Sequence, residues 1–292
     1  MPEYAHNFSN VTSVGFGAFA KAHFSGAINL PKVQSLPDAT DCPEKPQDAD
    51  HDYGVFEDSD ISYGNFPNLK YVGSRAFYNA KFIRDDTEPV AYTWNIFPSV
   101  ETVGERAFER AGSYTGENRI LVDMPNLKTI GALGFSASKI FPGKLINGKI
   151  WIDLPSCTSM GLRGFEDQNA GVGQTKEAYG ALLKEITSLP YLSFRWTGIS
   201  EIHLGKKCSF LEASCLYGCL DGLSIYLYYE NGVVPIGGNG YLDGTNTPHT
   251  IPAHIYVPAN LVTSYKNDAN WTYYESVISS IDDPNVPNKQ NW

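Results

Sequence analysis

The sequence predicts a β-rich repeat solenoid, a right-handed stack of strand–turn units that ends in a C-terminal strand–helix cap. Three observations lead to this fold class. An apolar residue followed by proline recurs along the 292 residues, a glycine follows most of these prolines, and a small residue followed by phenylalanine closes the pattern. One such unit cannot bury its own apolar face, so successive units are expected to stack on a common core.

Each predicted unit begins at an apolar–proline step. These prolines are separated by 36, 31, 27, 30 and 35 residues and are Pro31, Pro67, Pro98, Pro125, Pro155 and Pro190. The residues two and five positions after each proline are mostly apolar, so we expect them to face the core. They include Leu69, Val72, Val100, Val103, Leu127 and Ile130.

The second half of each unit is a glycine, then a small residue and a phenylalanine. We expect the glycine to allow a tight turn with positive φ, the small residue to let neighbouring coils approach, and the phenylalanine to fill the space between them. Proline should end a strand, because it has no N–H to donate to the ladder. The matching residues are Gly73, Gly104, Gly131 and Gly161, followed by Ala76–Phe77, Ala107–Phe108, Gly134–Phe135 and Gly164–Phe165. An earlier copy ends at Phe19.

Several stretches resemble the BspA-type leucine-rich repeats of bacterial surface proteins. They are "NLKYVGSRAFYNA" (68–80), "SVETVGERAFERA" (99–111) and, more diverged, "CSFLEASCLYGC" (208–219). The stretch "IYVPANLVTSYKNDANWTYYESVISSI" (255–281) is similar to the family's C-terminal segment, a strand followed by Val-Pro and a short helix. One departure is the unit after Pro190, where Arg195 and Trp196 stand at the positions of a core residue and the glycine.

The resemblance implies both a domain organisation and a location. Residues 1–228 would form the leucine-rich-repeat solenoid, with loop insertions near 37–53 and 166–188, and residues 229–292 would form the terminal strand and the cap. The second half of the later insertion is expected to form a helical turn or two. Family members lie on the bacterial cell surface or outside the cell, so the same location is expected here, although residues 1–10 do not read as a signal peptide.

Composition excludes some classes of partner. The net charge of −10, with scattered Lys and Arg, argues against nucleic acid, because backbone binding needs a basic face. No apolar run is long enough for a transmembrane span. Five cysteines without a CxxC pair indicate neither a disulfide framework nor a four-thiolate zinc site, and Cys157 is expected to be a small buried hydrophobe.

One acidic stretch is a weak candidate for a metal site. "DADHDYG" (48–54) places Asp48, Asp50 and Asp52 at alternate positions, as in calcium loops, but the glycine and the glutamate of an EF-hand are missing. A solvated acidic loop is the favoured interpretation, and no other cofactor is expected.

Two classes of function remain. The resemblance implies a non-enzymatic interaction module that adheres to a protein or glycan on a host or neighbouring cell. The alternative is a polysaccharide lyase or glycosidase on a parallel β-solenoid, which needs two nearby carboxylates. Asp123 and Asp153 occupy equivalent places in neighbouring predicted units, so stacking would bring them within about one strand spacing of 4.7–4.9 Å.

The alternation of residues along each strand predicts where a partner binds. If the third residue before each proline faces the core, then the second, fourth and sixth face outwards. The resulting stripe would present aromatic and acidic side chains, and its candidate ligand-binding residues are Tyr63, Tyr92, Trp94, Asp123, Trp151 and Asp153. In the alternative arrangement the strands are covered, and Trp94 and Trp151 belong to the core.

Overall fold

A computed structural model gives the structure of the chain. It describes residues 6–24, 27–39, 53–61, 64–82, 96–112, 120–167, 178–238, 242 and 252–292, together with the backbone of residues 93–94. The contacts divide the chain into two compact units, Met1–Leu145 and Ile146–Trp292. Both are rich in strands, and the paired strands within each unit run parallel.

The first unit is built from short strands. They are β1 (His6–Asn7), β2 (Ile28–Asn29), β3 (Ser35–Leu36), β4 (Asp60–Ile61), β5 (Gly64–Asn65), β6 (Tyr71–Val72), β7 (Lys81–Phe82), β8 (Thr93–Trp94), β9 (Thr102–Val103), β10 (Ile120–Val122), β11 (Thr129–Ile130) and β12 (Ile140–Ile146). Within this unit they form the sheets β1-β2-β5, β3-β6-β9-β11, β8-β10-β12 and β4-β7. Each predicted apolar–proline step in this unit follows one strand directly or within three residues, and the next strand begins a few residues after the proline. Phe141-Pro142, by contrast, lies inside β12, where Pro142 pairs with Val122.

The second unit has longer strands and a helical segment. Its strands are β13 (Lys149–Asp153), β14 (Ser159–Met160), β15 (Tyr179–Leu183), β16 (Ser188–Leu189), β17 (Ile199–Leu204), β18 (Phe210–Leu211), β19 (Ser224–Leu227), β20 (His254–Val257) and β21 (Ile278–Ser280). Within this unit the sheet order is β13-β15-β17-β19-β20-β21, with β16 paired to β18. The α-helix α1 (Val262–Asn267) lies between two 3-10 helices, Ala259–Leu261 and Thr272–Val277.

The predicted core positions are buried. The residues two and five positions after proline, from Leu69 to Ile130, are at most 1% exposed. The phenylalanines that close successive repeats stack face to face. Within residues 1–145, the distances between the ring centroids of neighbours in the series Phe19, Phe56, Phe77, Phe108 and Phe135 are 5.0, 5.0, 5.1 and 5.1 Å. This confirms that phenylalanine fills the space between coils.

The expected role of the repeat glycine is wrong. Gly73, Gly104 and Gly131 do not have positive φ; the left-handed residues come two positions later and include Arg75 and Arg106, both with φ of 56°. The glycines are needed because neighbouring coils are too close for a side chain. A Cβ at Gly73 would lie 2.1 Å from the carbonyl oxygen of Pro37, and one at Gly104 would lie 2.7 Å from the amide nitrogen of Ser74.

Phe56 closes the copy that the first insertion interrupts, with valine in place of the usual alanine before it, and its ring stacks between Phe19 and Phe77. One further interpretation of the repeat needs correction. Leu189-Pro190 is not equivalent to the other apolar–proline steps, since Phe194 stacks on Phe165 with ring centroids 5.3 Å apart. Pro190 therefore occupies the place of the repeat glycine, and the apparent departure at 195–196 follows from a wrong alignment.

The second predicted insertion contains a strand. Residues 168–177 lie outside the described ranges, as do residues 40–52 of the first insertion. The expected helical turn is wrong, because Tyr179–Leu183 forms the fully buried β15 between β13 and β17.

The strand and short helix predicted for 255–281 are confirmed, and they continue the second unit. β20 pairs with β19 and with β21, so the parallel sheet runs on past residue 228. The Trp271 side chain is fully buried and donates a hydrogen bond of 2.7 Å from Nε1 to the carbonyl oxygen of Val234. The OH of Tyr265 accepts a hydrogen bond of 3.0 Å from the amide of the same valine.

The described cysteines behave as buried apolar residues. Cys157, Cys208, Cys215 and Cys219 are free thiols that are at most 3% exposed. Burial raises the pKa of Cys157 to about 12, so its thiol stays protonated at neutral pH. Among the described helices, none has the length and apolar character that a membrane crossing requires.

Candidate functional site

Among the predicted stripe residues, the structure describes the side chains of Asp123, Trp151 and Asp153. Tyr63 and Tyr92 lie outside the described ranges, and Trp94 is described only as the backbone of β8, where it pairs with Val122 of β10. Asp123 is exposed directly after β10, and Asp153 is half-buried at the end of β13. Trp151 of β13 is only 6% exposed. The predicted residues therefore do not form one described surface.

The prediction that the fourth position before proline faces solvent is wrong where the side chains are described. Trp151 packs over Gly180, where a Cβ would lie 2.3 Å from the indole ring, and its ring centroid is 5.7 Å from that of His203. Ala27, Leu121 and Ile186 are also buried. The physical reason is that parallel sheets are usually covered on both faces, so alternation does not separate core from solvent.

The expected neighbouring placement of Asp123 and Asp153 is also wrong. β10, which precedes Asp123, pairs with β8 on one side and with β12 on the other. Asp153 belongs to β13 and so is not on a strand next to β10. The strand β12 (Ile140–Ile146) follows Asp123 in the sequence. None of the six predicted apolar–proline steps marks it, so the repeat spacing does not predict this additional strand.

In the second unit, the segment 282–292 covers the face that carries Trp151. The OH of Tyr226 donates a hydrogen bond of 2.9 Å to the carbonyl oxygen of Pro287, and Asn288 Nδ2 donates one of 3.1 Å to Glu201 Oε2. Val286 and Trp292 pack against an apolar cluster formed by Tyr226, Tyr228, Tyr256 and Ile281. The alternative in which the strands are covered therefore holds for Trp151.

A buried chain of hydrogen bonds runs beneath this segment. Burial lowers the pKa of His203 and outweighs the opposing effect of Glu201, so the imidazole is neutral. Its Nε2 is 2.8 Å from Glu201 Oε1, and its Nδ1 is 3.2 Å from the OH of Tyr228. With Nε2–H donating to the carboxylate, Nδ1 accepts from Tyr228, whose oxygen accepts from the amide of Gln290 at 2.7 Å.

The Glu201 carboxylate, at the other end of this series of hydrogen bonds, is ionised. Burial alone would raise the pKa of Glu201, but hydrogen bonds from His203 and from Lys149, at 2.8 Å, bring it below its usual value. Lys149 also lies 4.7 Å from the centroid of the Trp151 ring. Each of these side chains has a hydrogen-bond partner, so the hydrogen-bond network holds the segment 282–292 against the sheet.

An open groove lies beside the same segment. It has a volume of about 510 Å³ and will be called the terminal groove. Its floor includes the rings of Tyr228 and Trp292, and its polar lining includes Asn231, Asn260 and Asn291.

A second candidate surface lies on the turns of the second unit and is centred on Trp196, which is 43% exposed. The guanidinium carbon of Arg195 is 3.5 Å from the centroid of the Trp196 ring and 5.7 Å from that of Tyr217. Arg195 is in turn held by Glu166, with an Nη1 to Oε1 distance of 2.8 Å. We call Arg195, Trp196 and Tyr217 the Trp196 platform.

The backbone at Trp196 makes its side chain unusual. Its φ is 53°, in the left-handed region that bulky residues rarely adopt. Equivalent left-handed positions at the ends of other turns carry Asn79, Arg110, Ala137, Asp167 and Gly218. The turn therefore does not require tryptophan. A Cβ at Gly218 would lie 2.4 Å from Cδ1 of Trp196, so the glycine in the neighbouring turn leaves room for the indole ring.

Sequence reasoning missed both candidate surfaces. The signal for the Trp196 platform was the pair Arg195-Trp196, which was treated as a departure from the repeat rather than as an exposed turn. No local signal marks the terminal groove, because its lining comes from separate parts of the second unit, between residues 206 and 292.

Within the described ranges no cluster of three or more potential metal ligands occurs. Asp48, Asp50 and Asp52 lie outside those ranges, so their weak calcium site stays a prediction. No protein-family model matches the chain, and no curated protein matches it.

Proposed function

We propose that this chain is a leucine-rich-repeat solenoid that serves as a non-enzymatic interaction module at the bacterial cell surface or outside the cell. Its partner would be a protein or glycan on a host or neighbouring cell. The repeat spacing, the stacked phenylalanines and the parallel strand pairs within each unit support the solenoid. The location rests on the family resemblance of the repeat.

The Trp196 platform carries the functional part of the proposal. The turn imposes the left-handed conformation at this position in other copies as well, and those copies form it without tryptophan. Trp, Tyr and Arg are the residues most enriched among those that dominate binding energy at interfaces. Here all three are packed together, and the tryptophan remains 43% exposed.

The test is binding by the Trp196→Asn variant. Asparagine tolerates the left-handed conformation, so we expect the folded state to be as stable as the wild type or more stable. Loss of a dominant contact costs about 2 kcal/mol or more, which corresponds to roughly 30-fold weaker binding. The measurement is surface plasmon resonance against the ligand selected from arrays of extracellular-matrix proteins and glycans.

Tyr273→Asn is the matched control, because Tyr273 is 46% exposed and lies on the 3-10 helix Thr272–Val277, outside the platform. Its affinity should equal that of the wild type. Wild-type affinity in Trp196→Asn would reject the platform as the binding surface. A selected glycan that is cleaved during incubation would instead favour the polysaccharide-active enzyme.

A further inference from the structure

The terminal groove has the chemistry of a site for an uncharged polar ligand. Its four charged side chains form two ion pairs: Lys206 Nζ lies 2.8 Å from Glu230 Oε1, and Lys289 Nζ lies 3.2 Å from Asp282 Oδ1. The carboxylate of Asp282 also accepts a hydrogen bond of 3.2 Å from the amide of Ala259. Each charge is already balanced within the groove, so neither an anionic nor a cationic ligand has an unpaired counter-charge there.

The other polar side chains of the groove are the hydroxyl of Tyr228 and four amides. The Tyr228 hydroxyl is hydrogen-bonded to His203 and Gln290, and the Gln290 side chain donates to the carbonyl oxygen of Asn288. Asn231, Asn260 and Asn291 are exposed, and their amides make no hydrogen bond to other residues of the described part of the chain. Each amide offers two donors and an acceptor with two lone pairs. Three such groups around one groove can bind hydroxyls that both donate and accept.

Two aromatic rings complete the groove. The centroid of the Trp292 ring is 4.9 Å from that of Tyr228 and 6.2 Å from that of His203, so both rings pack against the indole. Trp292 is half-buried and lines the groove. The lining is otherwise mainly polar, with eight charged or amide side chains among its twelve residues, and its volume of about 510 Å³ falls within the range of roughly 300–1,000 Å³ for small-molecule sites.

We propose that the terminal groove binds a neutral oligosaccharide. The apolar C–H face of a sugar ring would pack on Trp292, and its hydroxyls would exchange hydrogen bonds with Asn231, Asn260 and Asn291. The site is separate from the Trp196 platform and does not depend on the function proposed for it. Binding needs no chemical change in the sugar.

The test uses calorimetry and tryptophan fluorescence with neutral hexasaccharides of glucose, mannose, galactose and xylose. A parallel set contains sulfated and uronic-acid oligosaccharides. We expect at least one neutral sugar to bind and to change the tryptophan emission. The variant Asn260→Ala plus Asn291→Ala should weaken that binding about tenfold or more while the circular dichroism spectrum stays unchanged.

Two further variants keep the result decisive. Trp292→Leu should also weaken sugar binding, and Trp196→Asn should leave it at the wild-type value, which separates the groove from the platform. Failure of every neutral sugar to bind, selective binding of the acidic set, or wild-type affinity in the double asparagine variant would each overturn the proposal.

Discussion

Replacement of Phe108 by alanine is expected to destabilise the protein by about 3–5 kcal/mol. The ring is fully buried and stacks between Phe77 and Phe135, with centroids 5.1 Å away on both sides. It also meets Phe97 edge-on at 5.4 Å. Truncation removes all of these contacts and leaves a cavity that the neighbouring coils, fixed by their backbone hydrogen bonds, cannot fill.

Urea unfolding followed by circular dichroism measures this loss. Tyr191→Ala provides the control, because Tyr191 is 46% exposed and its truncation should change the free energy of unfolding by no more than about 0.5 kcal/mol. Equal effects of the two substitutions would show that Phe108 is not part of a packed ring stack.

Replacement of Arg75 by methionine is expected to destabilise the protein by about 3–5 kcal/mol, because it removes the guanidinium that pairs with the buried Glu57 carboxylate. The Glu57 side chain is 1% exposed. Its carboxylate accepts hydrogen bonds from Arg75 Nη2 at 2.6 Å and Nε at 3.2 Å, and from the amide of Gly54 at 2.8 Å. Methionine keeps the length of the side chain but removes both guanidinium contacts.

The next coil offers a matched control for this pair. Arg106 has the same left-handed φ of 56° as Arg75, but its side chain is 39% exposed. Arg106 lies 3.3 Å from a carboxylate oxygen of Glu109, whose side chain is 11% exposed, so Arg106→Met should cost more than the loss of a surface ion pair but less than Arg75→Met. The double variant Glu57→Gln plus Arg75→Met should recover most of the stability lost by Arg75→Met. No recovery would mean that the loss comes from packing rather than from the broken ion pair.

The strand–turn pattern could be predicted from the sequence because it is set by local chemistry. The prolines of the predicted steps come after strand ends, whereas Pro142 lies inside β12, and the positions that follow the predicted steps, such as Leu69 and Val100, are buried as expected. Phe77 and Phe108 stack because each unit places its ring at the same point of the turn. The role of Gly104 was misjudged, because the close approach of Ser74 is a contact between coils and is not visible within one repeat.

The candidate sites could not be predicted in the same way, because burial of a face depends on what returns to cover it. Trp151 reads as an outward residue of β13, yet the segment 282–292 lies over that face of the sheet, where Asn288 bonds Glu201. The exposed position of Trp196 could not be predicted for a different reason. The proline at 190 imitates a repeat start, so the turn that contains Trp196 was aligned in the wrong register.

We expect the aromatic surface that is open to a partner to lie on the turns, at Trp196, and not on the strands, at Trp151. Hydroxyl-radical footprinting of the wild-type protein, with peptides read by mass spectrometry, measures both residues in one experiment. We predict rapid oxidation of Trp196, which is 43% exposed, and protection of Trp151 and Trp271, which are 6% and 0% exposed. Oxidation of Trp151 as fast as that of Trp196 would contradict this prediction.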